Sequence, residues 1–97
     1  MLGTLCYDKK NEHYDVCFDV GGTYGGMHGG EEMDVLVAGK WRRARLERTT
    51  IDELTNDGWS KYVPIGIEFW SITDCKNDKL IPLKNLTGLT VDIKEKR

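Results

Sequence analysis

The sequence predicts an all-β fold: a small antiparallel barrel or sharply bent sheet of five to six strands, with a short helical insertion. Three observations predict it. Period-two alternation runs on both sides of a polar stretch near the start, a second alternating pair folds about Gly39-Lys40, and glycines gather in loops. At 97 residues, 39% hydrophobic and 31% charged, the chain suits one domain, spanning 1–97, with a modest core.

In the first unit Leu5 and Tyr7 alternate with Thr4 and Cys6, Asp8 to Glu12 supply a polar turn, and Tyr14, Val16 and Phe18 alternate with His13, Asp15 and Cys17. If Tyr7 faces Tyr14, then Leu5 faces Val16 and one face is apolar. The other face collects Cys6, Asp8, His13, Asp15 and Cys17. Gly21 to Gly30 follows, too rich in glycine for a strand or helix interior. It predicts a long loop whose Tyr24, Met27 and His28 are either held by contacts with the rest of the domain or mobile.

The second unit alternates Met33, Val35 and Val37 with Asp34 and Leu36, turns at Gly39-Lys40 and returns through Trp41 to Leu46. That turn sets Val35 opposite Ala44, Met33 opposite Leu46, and Asp34 opposite Arg45 as an opposite-charge pair. Thr50-Ile51-Asp52-Glu53 has the form of a capping box and Gly58 of a helix end, predicting one or two helical turns. Trp59 to Ile72 is β-prone but broken at Pro64 and Gly66, giving two short strands or one bent strand. Thr73 to Lys79 is a polar loop, Leu83 to Leu86 a single tight turn, and Leu89, Val91 and Ile93 mark a closing strand.

The stretch Gly30 to Leu46, with its Gly-acidic start, β-branched strand, turn, Trp41 and small Ala44, is similar to the strand-turn-strand signature of Src-homology-3-like (SH3-like) and Tudor-like barrels. The chain also resembles a family of small uncharacterised proteins of Gram-positive bacteria and their mobile elements. That likeness rests on Gly3-Thr4-Leu5 with Tyr7, Tyr14-Asp15, Tyr24-Gly25-Gly26-Met27-His28 with Gly30-Glu31, Val35-Leu36-Val37 with Gly39-Lys40-Trp41, and Leu86-Thr87-Gly88-Leu89. It departs from the family pattern at Gly29, where a Cys is expected. The resemblance implies a mobile-element setting, and by analogy an inhibitor of a bacterial defence nuclease, of the anti-CRISPR type acting on a Cas nuclease.

A net charge of -2 argues against strong non-specific attraction to a nucleic-acid backbone. No apolar run approaches the ~20 residues that span a bilayer. With no basic, apolar leader and three irregularly spaced cysteines, a cytoplasmic protein with free thiols is expected.

No catalytic set is assigned. Cys17 and His13, four apart on one strand, are about 13 Å distant, which leaves Cys75 with His28 as an open but unsupported pairing. Cys6, His13 and Cys17 share a face with Asp15, and these are ligand types that zinc takes. No Cys-x-x-Cys accompanies them, so small half-buried thiols and a solvated imidazole are the plainer reading.

Trp41, Arg43 and Arg45 point away from the predicted core beside Lys40, offering stacking area and forked donors. Tyr24 and His28 on the glycine-rich loop complete the predicted partner-binding set. Three partners fit: an acidic protein surface, single-stranded nucleic acid, or the chain's own Glu47, Asp52, Glu53 and Asp57. A stoichiometric protein-binding module is the leading expectation, with a nucleic-acid-binding barrel and a zinc-stabilised module as alternatives.

Overall fold

The computed structural model describes residues 1–50, 68–83 and 85–94. Among the described residues seven strands form one antiparallel sheet: β1 (Leu2–Asp8), β2 (His13–Phe18), β3 (Glu32–Val37), β4 (Lys40–Thr50), β5 (Glu68–Asp74), β6 (Lys79–Leu80) and β7 (Thr90–Asp92). Their order across the sheet is β2-β1-β7-β3-β4-β5-β6, so β2 and β6 are its end strands. The fold is therefore a bent, open sheet. The barrel form of the expectation is corrected, and the described residues alone hold seven strands.

The first hairpin forms in the predicted register, with Leu5 opposite Val16, Cys6 opposite Asp15 and Tyr7 opposite Tyr14. The second is displaced. Met33 faces Ala44, Asp34 faces Arg43 and Val37 faces Lys40, so Ala38-Gly39 and not Gly39-Lys40 is the two-residue loop. Both loop residues have positive φ, 51° and 76°, as a type I′ turn requires. Alanine is poor at that conformation, which is why the sequence favoured the turn with glycine first. The displacement moves every cross-strand partner by two, and parity is unchanged. Met33, Val35, Ala44 and Leu46 all remain on the buried face.

The closing strand lies inside the sheet, between β1 and β3. β7 pairs with β1 through Gly3 and Val91 on one side and with β3 through Val35 and Val91 on the other. Three residues thus join the two hairpins, with Val91 fully buried. The concave face is filled by Leu5, Val16, Met33, Val35, Leu46 and Ile72. Ile81 and Leu86, from the segment between β6 and β7, and Met27 of the glycine-rich loop complete the core. At about 25 cal/mol per Å² of apolar area removed from water, such fully buried side chains supply the main stabilising term.

The two ends of the bent sheet approach one another through aromatic rings. Tyr14 stands edge-on to Tyr7 at 5.0 Å and to Trp70 of β5 at 6.2 Å, and Arg48 lies 5.3 Å over the Trp70 ring.

Among the described residues there is no helix. Thr50, expected to cap one, is the last residue of β4 and pairs with Glu68; the rest of that capping box lies outside the described residues, as does most of Trp59 to Ile72. Thr73 and Asp74, expected in a loop, extend β5. Among the described residues no helix is long and apolar enough to cross a membrane.

Candidate binding site

Strand alternation fixes which side chains of β4 face outward. Trp41, Arg43 and Arg45 oppose Leu36, Asp34 and Glu32 on the outer face, as their parity with buried Ala44 and Leu46 demands. At the far end of this hairpin the turn after β5 comes alongside, tied by Cys75 N–H donating to the Arg43 carbonyl at 2.9 Å. Between the two turns lies an open pocket of about 420 Å³ lined by Lys40, Trp41, Arg42, Arg43, Asp74, Lys76 and Asn77.

Asp74 organises its floor. The carboxylate accepts the Lys76 backbone N–H at 2.8 Å and lies 3.9 Å from the Arg42 guanidinium. Trp41 is 49% exposed. Lys40, Arg42 and Lys76 are exposed around it. Among the described residues neither Lys40 nor Lys76 forms an ion pair.

The two outward arginines are already engaged. Arg43 reaches Glu32 at 3.2 Å and Asp34 at 3.6 Å. This contact offsets a local strain, because Asp34 lies directly opposite Asp92 of β7, and like charges so placed destabilise a sheet. Arg45 is bonded to Asp78 and, at 2.6 Å, to Glu47; both carboxylates raise its pKa, Asp78 the more strongly. Of the acidic residues expected to neutralise this strand, Glu47 does so. Asp52, Glu53 and Asp57 lie outside the described residues.

Tyr24 and His28 belong to a different place. The Tyr24 hydroxyl donates to Glu31 at 2.7 Å, and the His28 backbone N–H donates to the other oxygen of the same carboxylate at 2.5 Å. Glu31, chiefly through that hydrogen bond, pushes the Tyr24 phenol up to about 12. The next residues dock at Leu46, whose carbonyl accepts from Gly30 and whose N–H donates to Glu31. Leu46 is five residues along β4 from Trp41, about 17 Å at the usual rise. The predicted set thus divides into a tip of Lys40, Trp41 and Arg43 and a loop anchor of Tyr24 and His28, with Arg45 between.

Sequence reasoning missed Asp74, Lys76 and Asn77. Their approach depends on the β4–β5 register, Ala44 opposite Asp74, which follows a long connection that alternation cannot measure.

The glycine-rich loop is held along the β2 edge. Tyr24 N–H donates to the Val16 carbonyl and Met27 N–H to the Tyr14 carbonyl, while buried Asp15 accepts from Val16 and Gly25 backbone N–H groups at 2.8 and 3.1 Å. A Cβ on Gly26, which has φ +98°, would stand 3.0 Å from the His13 ring. The residues considered for zinc are placed accordingly. Cys6 and Cys17 sulfurs meet at 2.8 Å, whereas His13 Nδ1 lies 3.2 Å from the Tyr14 carbonyl. Among the described residues no group of three or more His, Cys, Asp or Glu side chains is placed to hold a metal ion.

A solved structure of a protein from Ruminococcus gnavus is similar, with 28% identity and a TM-score of 0.63 over 96% of this chain and 100% of that one. No curated protein matches. A family model described as a domain of unknown function (DUF5348) matches residues 3–93, and the chain belongs to that family.

Proposed function

We propose that this protein is a non-enzymatic binding module that engages an acidic protein surface through the pocket at the β3–β4 tip. The observation that carries the reading is the exposed Trp41 indole set among Lys40, Arg42 and Lys76, with Lys40 and Lys76 outside the ion pairs of the described residues. An aromatic anchor ringed by cations suits a partner that brings carboxylates to the rim and an apolar group to the indole. Arg45, held by two carboxylates of its own chain, contributes to the fold here.

The test is tryptophan fluorescence, with Trp41→Ala as the control for Trp59 and Trp70, titrated with a decaglutamate peptide and, separately, with an oligothymidylate. The module reading expects saturable binding of the peptide, lost in Lys40→Glu/Lys76→Glu, whose sites hold no structural pair. Preference for the oligonucleotide, with affinity falling by decades from 50 to 200 mM salt, would replace it with single-strand binding. The nucleic-acid alternative draws on the same indole and cations.

In its finer form the partner is a Cas nuclease, and the module is an SH3-like inhibitor carried by a mobile element and acting in the cytoplasm. That form rests on the sequence resemblance. Its test is block of target cleavage at one-to-one stoichiometry, relieved by Trp41→Ala.

A further inference from the structure

Away from the pocket, the outward side of the first hairpin brings two thiols together. Thr4 pairs with Cys17 and Cys6 with Asp15, so the cysteines are diagonal neighbours on adjacent strands. Diagonal neighbours ordinarily lie about 7–8 Å apart, beyond the ~4.4–6.8 Å of a relaxed disulfide. Here the side chains converge until the sulfurs are 2.8 Å apart. Closing a bond of about 2.05 Å also draws the two strands together locally, and the strain makes such a bond readily reducible.

The two sulfurs differ in access. Cys17 is exposed, while Cys6 is partly buried with its thiol also 3.5 Å from the Asp15 carbonyl. Burial first, then the neighbouring Cys17 sulfur, push the Cys6 thiol up to about 12, so it keeps its proton at neutral pH. Cys17 is thus the sulfur that can reach a disulfide in solution. Cys75, at the end of β5 with β7, β3 and β4 lying between, has no part in the pair.

We propose that Cys6 and Cys17 form a reversible thiol–disulfide pair that exchanges with small disulfides such as oxidised glutathione. The Cys17 thiolate attacks one glutathione sulfur, forming a mixed disulfide and expelling a glutathione thiolate. Cys6 then gives up its proton, attacks the Cys17 sulfur as the thiolate and expels the second glutathione as a thiolate, and the two expelled thiolates take up protons from solvent. Two protein thiols are oxidised by two electrons and one disulfide is reduced to two thiols. The product ties edge strand β2, on which the glycine-rich loop is anchored, to β1. Pairs of this kind in a reducing compartment are transient and redox-sensing.

The experiment equilibrates the intact protein in glutathione buffers of increasing oxidised fraction, then alkylates and maps it by mass spectrometry. The expected product is a monomer that has lost two hydrogens through a Cys6–Cys17 bond, with Cys75 still alkylated and reduction restoring all three thiols. Cys6→Ser should stop at a glutathione adduct on Cys17, and Cys17→Ser should leave Cys6 alkylated. Three results would overturn the proposal: folded wild type with both cysteines alkylated in the most oxidising buffer, a Cys17 adduct as persistent in wild type as in Cys6→Ser, or bonds that join two chains.

Discussion

The hairpins β1–β2 and β3–β4 bury the same kind of apolar face but finish their outer faces in opposite ways. On β2 the chain returns over its own strand. Gly25 and Met27 bond to it, Gly26 packs on His13, and Asp15 is only 8% exposed because two backbone N–H groups converge on its carboxylate. On β4 nothing among the described residues covers the tip, and Trp41 stands in solvent among cations. The Asp15 carboxylate under the returning loop is used up by the fold; at the β4 tip Lys40 and Lys76 stay available to a partner, while Arg43 and Arg45 are held by the chain's own carboxylates. The difference separates residues whose loss should unfold the protein from those whose loss should silence it.

The largest effect expected is at Asp15. Asp15→Ala strands two backbone donors, one beside the core, and should cost about 2–4 kcal/mol in urea denaturation. Amide exchange at Val16 and Gly25 should accelerate with it. Asp15→Asn, which keeps an acceptor oxygen, should recover part of the loss. Next is Gly26→Ala, where a left-handed backbone and the His13 ring together predict a loss of about 1–2 kcal/mol. A thermal melt measures it.

A smaller change of opposite sign is expected at the second hairpin. Ala38→Asn creates the Asn-Gly pair that type I′ turns favour and should stabilise by about 0.5–1 kcal/mol; unchanged or lowered stability would argue against that turn. Smallest of all in stability is Trp41→Ala, within about 0.5 kcal/mol of wild type, although peptide binding should disappear. A collapse of stability in that variant would erase the contrast between the two faces. Arg43→Glu is a poorer probe of binding. It also breaks the contacts with Glu32 and Asp34 that offset the Asp34–Asp92 repulsion.

How far the sequence carried depended on what alternation encodes. It encodes faces, so Leu5, Val16, Met33, Val35, Ala44 and Leu46 were placed inward and Trp41, Arg43 and Arg45 outward even though the second turn was misplaced. It does not encode which of two adjacent two-residue loops forms when the better one puts alanine at φ 51°. Nor does it say that a strand of three residues near the end will sit between the first and third. That placement comes from tertiary pairing of Val91 with Gly3 and Val35, and it also keeps the sheet from matching a simple barrel order. The pocket was half visible for the same reason: Lys40, Trp41 and Arg43 share one strand, but Asp74, Lys76 and Asn77 arrive through the β4–β5 register. The Cys6–Cys17 approach was visible as a diagonal on one face, without the sulfur contact.

The most direct test of the bare-face account is amide and indole chemical-shift mapping with the decaglutamate peptide. The account predicts shifts at Lys40 to Arg43, at Lys76 and Asn77 and at the Trp41 indole N–H, with Cys6, His13 and Cys17 unmoved. Shifts concentrated on β1–β2, or a Trp41 indole that does not respond at saturating peptide, would contradict it.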